Sequence, residues 1–144
     1  MKRLLFFAFI AVLVGCVGSQ TETKLPPKKH PSLSLESSTE SKVLRFSHLT
    51  ISLEPAHVEE TSYTAKGSLD LDPEKIPSVA VIYDFELQAI ILDEDYKVVK
   101  KISRRDLNSK NASDSIPFEF NFRLEPNYRF ITFNYSLKYH HAFT

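Results

Sequence analysis

The side chains able to do chemistry in this chain are few. They are a single cysteine at position 16, five histidines, a carboxylate run at Asp93-Glu94-Asp95, and a basic run of Lys100, Lys101, Arg104 and Arg105. Cys16 directly follows Gly15, behind the positive start Met1-Lys2-Arg3 and eleven uninterrupted apolar residues from Leu4 to Val14. A lone thiol has no disulfide partner, and a small residue just ahead of it suits peptide cleavage between Gly15 and Cys16. His140 and His141 are adjacent, so on a strand their rings face opposite sides and cannot chelate one ion without a bend. His48 and His57 have no acid and nucleophile at triad spacing. The acidic run lacks the alternating ligands of a calcium loop and reads as a solvated hairpin tip. The basic run is either a solvated edge that discourages strand addition or a docking patch for an acidic partner. No glycine-rich phosphate loop is present. The expectation is therefore no catalytic residue, no metal site, no cofactor and no enzyme.

An eleven-residue helix covers roughly 16 Å, well short of the ~20 residues needed to span a bilayer. The leader thus reads as a signal-peptide core over residues 1–15. Leu13-Val14-Gly15-Cys16 resembles the lipobox of bacterial lipoproteins, a branched aliphatic, a tolerant position, a small residue and cysteine. The resemblance implies diacylglycerol on the Cys16 sulfur, cleavage before Cys16 and acylation of the new amino group. Each buried CH₂ adds about 0.8 kcal/mol, so two or more chains make membrane anchoring stable where one is marginal. Val17 in place of Asp, by the same resemblance, favours the outer membrane of a two-membrane bacterium. An ordinary secretory signal with Cys16 buried or free is the alternative.

Removing residues 1–15 takes away Lys2 and Arg3 and leaves sixteen basic residues against eighteen acidic ones. That balance points to neither nucleic acid nor an anionic surface as partner. Residues 16–41 read as lipidated cysteine and flexible tether, rich in Pro, Ser, Thr and Glu with no sustained period. As a coil it would span about 25–30 Å, and nearly 80 Å pulled straight.

From residue 42 to 144 period-two alternation takes over, with no helical pattern. Val43 to Leu53 carries apolar residues on both parities, which calls for a bulge or a change of sheet near Ser47-His48. Tyr63, Ala65, Gly67, Leu69 and Leu71 share one face, and Asp72 to Pro77 is a loop. Val79, Val81, Tyr83, Phe85, Leu87, Ala89 and Ile91 share the inner face of a strand long enough to need a bend or bulge. Asp93-Glu94-Asp95 turns it into a hairpin with Tyr96 to Ile102. Residues 103–115 form a polar loop whose Asn111-Ala112-Ser113 fits a glycosylation sequon by chance. Ile116, Phe118, Phe120, Phe122 and Leu124 stack inward, and Ile131, Phe133, Tyr135, Leu137 and Tyr139 do so on the last strand. Tyr128, Phe130 and Phe143 could meet as an exposed apolar patch.

Six or seven strands with polar turns predict an antiparallel two-layer β-sandwich of immunoglobulin-like architecture, with a small barrel second. Ile91-Leu92-Asp93-Glu94-Asp95-Tyr96-Lys97-Val98-Val99 resembles the strand–turn–strand of FxLYD-type sandwich domains, with Tyr96 where those carry glycine. That resemblance implies a binding or structural module. The functional expectation is a lipid-anchored envelope protein that acts as a protein-interaction or assembly module. A carrier of an apolar small molecule or lipid is the alternative.

Overall fold

A computed structural model describes residues 31–105 and 112–141. The leader, Gly15, Cys16, the first part of the tether, Asn111 and Phe143 lie outside the described residues. The described chain is all β, nine strands in two antiparallel sheets. They are β1 (Ser32–Ser34), β2 (Lys42–Arg45), β3 (Leu49–Leu53), β4 (His57–Glu59), β5 (Ser62–Leu71), β6 (Ala80–Leu92), β7 (Val98–Arg104), β8 (Ile116–Arg123) and β9 (Phe130–His141). One sheet runs β1-β9-β6-β7. In the other, β2 pairs β3, while β3 and β4 lie end to end along one side of β5 and β8 lies along its other side.

The pairings follow the immunoglobulin-like plan. β5 sits between β3 and β8 as strand B sits between A and E, and β6 sits between β9 and β7 as C sits between F and C′. The place of G beside β9 is filled from the other end of the chain, by β1.

Alternation explains the layers. Ile116, Phe118, Phe120 and Phe122 are buried while Pro117, Glu119, Asn121 and Arg123 are exposed. Phe118 and Phe120 each meet Phe133 of the facing sheet with ring centroids 6.0 Å apart, and this contact joins the two layers. Removing such a ring would cost about 3–5 kcal/mol. Pro117 is tolerated near the start of β8, where its lack of an N–H matters little.

Four expectations need correction. The strand count rises to nine because Ser32–Ser34 and His57–Glu59 are each paired, the latter set off from β3 by Glu54-Pro55-Ala56, and because residues 43–53 hold two strands, β2 and β3. Proline cannot donate to the ladder, and pairing with β5 resumes only at His57. The tether boundary at Ser41 also moves. Leu35 is buried, its N–H donates to the Arg129 carbonyl at 2.9 Å, and the fold begins some ten residues earlier. The two parities of residues 43–53 belong to a hairpin turning at Ser47-His48, so no bulge or sheet change is involved. Finally, Val79, Val81 and Tyr83 are not inward. Val79 and Tyr83 are exposed, Val81 is half-buried, and Ala80 and Ile82 take the core side. The reason is a bulge: β9 pairs Ile82 with Tyr139 and Asp84 with Lys138, leaving Tyr83 as the extra residue.

Two local devices keep strands in register. Tyr96 closes the β6–β7 hairpin in the left-handed region, at φ 59°, a conformation that glycine adopts freely. Gly67 is required by close approach, because a Cβ there would run into the Ser52 carbonyl and press on the Phe118 ring.

Candidate functional site

The side of the sandwich where β1 and β2 lie is where a site can form. A cleft of about 240 Å³ opens between the sheets, lined on one side by Leu53, Glu54 and Ala56 at the break between β3 and β4 and on the other by Leu33 and Ser34 of β1. Its walls are Leu33, Leu53, Ala56, Tyr63, Ala65, Ile131 and Phe133. Its mouth carries Glu36, Ser37, Ser38, Glu40, Lys42 and Glu54. The strap that forms the mouth is pinned at several points. Leu35 bonds to Arg129, the Ser38 N–H donates to the Ala56 carbonyl at 3.2 Å, and the Ser38 hydroxyl bonds both the N–H and the carbonyl of Glu40.

Behind the mouth, polar groups enter the lining at Ser34 of β1 and at Tyr63 of β5. Tyr63 is 3 % exposed, its ring lies against Phe122 at 5.3 Å, and burial pushes its phenol above the ordinary tyrosine value. Its hydroxyl bonds to no described residue, and no buried polar side-chain atom among the described residues is left unsatisfied. The phenol oxygen is therefore not fully shut off from solvent.

A second, shallower groove runs between the β2–β3 turn and β9. There Ser47 Oγ lies 2.8 Å from His48 Nδ1, and both lie near the Tyr135 hydroxyl, at 3.1 and 3.0 Å. The ring nitrogen nearest the serine is thus shared between two hydroxyls, and Phe46 packs edge-on against Tyr135 at 5.9 Å. The cluster fastens the turn to the facing sheet across 87 residues of sequence.

The structure divides the basic run of β7. Arg104 donates from Nη1 to the Glu119 carbonyl at 2.7 Å, tying β7 to β8 across the layers. Arg105 meets Glu86 Oε2 at 3.0 Å on the neighbouring strand. Lys100 and Lys101 are exposed and, as neighbours on a strand, face opposite sides. The four cations do not make one patch.

No family model, curated protein or solved structure matches this chain.

The other sequence candidates have local roles. Asp93 Oδ1 accepts from the Asp95 and Lys97 N–H groups, both at 2.9 Å, which makes it the organiser of the hairpin turn. His48, His57 and His140 are exposed, and His140 lies beside Tyr83 at 5.6 Å. Among the described residues no three His, Cys, Asp or Glu side chains gather to hold a metal ion. Tyr128 and Phe130 are half-buried, against Phe122 and Tyr96 respectively.

The cleft escaped the sequence reading because most of its mouth, Glu36, Ser37, Ser38 and Glu40, lies in residues assigned to the tether. One signal was available: Leu33-Ser34-Leu35 alternates with period two, as a short strand does. The Ser47–His48–Tyr135 cluster left no such trace.

Proposed function

We propose that this protein is a lipid-anchored lipoprotein of the bacterial envelope, with the outer membrane favoured, whose sandwich acts by binding and not by catalysis. It is a protein-interaction or assembly module, held to the membrane by acyl chains on Cys16. The observation that carries the reading is the apolar cleft between the sheets. The size of this cleft supports the first of the two expected kinds of occupant. Pockets for drug-sized molecules run from about 300 to 1,000 Å³, whereas about 240 Å³ suits one large side chain. Interfaces are dominated by a few such anchors seated in preformed pockets. The carrier reading keeps one supporting feature, the apolar lining.

Photo-crosslinking from the cleft tests the choice. A photoreactive residue at Ser37, in the full lipoprotein in its native envelope, should give a discrete protein adduct. The same residue at exposed Lys101, on the other side of the sandwich, should not. Adducts to lipid alone would favour the carrier, and adducts to nothing would count against both. The anchor has its own test. Cys16→Ser should release the product from membranes and remove the acyl mass; continued membrane fractionation would overturn it.

A further inference from the structure

Three carboxylates, those of Glu36, Glu40 and Glu54, ring the cleft mouth against one ammonium, that of Lys42. Lys42 is already engaged, with Nζ 3.1 Å from Glu40 Oε2. Behind this acidic rim the wall is apolar apart from Ser34 and Tyr63, and the Tyr63 hydroxyl has no partner among the described residues. We infer that the cleft receives a basic–apolar peptide segment: one aromatic or large aliphatic side chain in the pocket, with Lys or Arg one or two residues away at the rim. The inference rests on the interaction-module reading and adds the chemistry of the partner.

The physical roles divide cleanly. The anchor removes its apolar surface from water against Leu53, Ala65, Ile131 and Phe133, which supplies most of the affinity. Its backbone brings a carbonyl within reach of the Tyr63 phenol, which then gains an acceptor. A bare apolar ligand would leave that hydroxyl without a protein partner, and a peptide would not. The rim charges set specificity and association rate more than affinity, because Glu36, Glu40 and Glu54 are all exposed. Each exposed pair contributes roughly a factor of two, so three together contribute up to about tenfold at low salt. An acidic neighbour beside the anchor would be repelled by the same three groups. Selectivity for basic over acidic flanks thus follows from the rim alone.

The test is selection of a displayed random ten-residue peptide library on the full lipoprotein in detergent. The expected result is enrichment of an aromatic or large aliphatic residue with Lys or Arg within two positions. Three variants locate the effect. Glu36→Gln/Glu40→Gln/Glu54→Gln changes only exposed residues, so folding is preserved. It should weaken the selected peptides by up to about tenfold at low salt and hardly at all at high salt. Tyr63→Phe removes one oxygen and should weaken them several-fold at any salt. Ala65→Phe fills the cleft and should abolish binding. Apolar anchors with no basic preference, still blocked by Ala65→Phe, would overturn this inference and leave the module reading standing. Peptides indifferent to all three variants, or no enrichment at all, would overturn both.

Discussion

Tyr96 stacks on Phe130 with ring centroids 4.6 Å apart and planes 5° from parallel, while its own backbone is held at φ 59°. The two facts belong together. A left-handed conformation costs a residue with a Cβ about 1–2 kcal/mol, and an aromatic pair returns about 0.5–1.5 kcal/mol beyond its buried area. The stack offsets the strain, so a tyrosine closes a turn that glycine would close unaided.

A reversal of the usual ranking follows. Tyr96→Ala keeps the strain and loses the stack, and should destabilise the fold by about 1 kcal/mol. Tyr96→Gly loses both and should be close to neutral. Urea unfolding of the two variants checks this. If alanine proves equal to or better than glycine, the backbone at this position is not strained in solution.

At Gly67 the same substitution has the opposite cause. No positive φ is involved; the obstacle is the Ser52 carbonyl, a backbone atom that cannot swing away. Gly67→Ala should cost about 1–3 kcal/mol through overpacking. Ser68→Ala, one residue on, should stay within about 0.5 kcal/mol. Thermal unfolding of the pair separates close approach from general intolerance along β5.

Tyr83 is the extra residue of the β6 bulge, and its ring is exposed. Deleting it restores unbroken alternation: Ala80 and Ile82 stay inward, and Phe85, Leu87, Ala89 and Ile91 follow on the same side. The deletion should therefore fold, with a modest loss of stability. Deleting Glu86 instead leaves the bulge and turns one end of the strand inside out, which should prevent folding altogether. Circular dichroism and unfolding of the two deletions test this. A Tyr83 deletion as damaging as the Glu86 deletion would show that the bulge is needed for its own sake.

These particulars mark how far the fold could be read from the chain. β5, β8 and β9 were legible because one face of each meets the core, so apolar residues recur at every second position. The bulge in β6 was legible only as a need, from strand length. Its place was not, because Val79, Val81 and Tyr83 continue the apolar pattern of Phe85 on the wrong side. β1 was hidden by its composition: three residues with two serines carry too little pattern to stand out from a polar tether. The cleft inherited that blindness, since most of its mouth comes from the strap after β1. Contacts such as Tyr135 with His48 depend on the folding together of distant segments and leave no local mark.

The pH dependence of stability should separate two kinds of charge effect. The Lys138 ammonium, donating to Asp84 Oδ2 at 2.8 Å, holds that carboxyl below the ordinary aspartate value and is itself raised by it. Glu86 is lowered by hydrogen bonds from Gln88 and Ser103, with Arg105 adding to them. For both carboxylates the unfolded chain binds the proton more readily. Their contributions are thus present above the ordinary carboxylate range and lost as pH falls through the folded values. Lys138 and Tyr63 are raised, so their contributions are full below the ordinary values and lost as pH rises through the folded ones. Asp84→Asn should then flatten both the acid and the alkaline arm, because it removes the partner of Lys138 as well. Glu86→Gln should flatten only the acid arm, and Tyr63→Phe only the alkaline one. Melting temperature against pH for the three variants reads this directly. Salt supplies the second discrimination. The exposed Asp84–Lys138 pair is screened by it, whereas Tyr63 is shifted by burial and should keep its alkaline effect at high ionic strength. An alkaline arm in Tyr63→Phe that matches the parent at high salt would mean that burial does not shift the phenol in the folded protein.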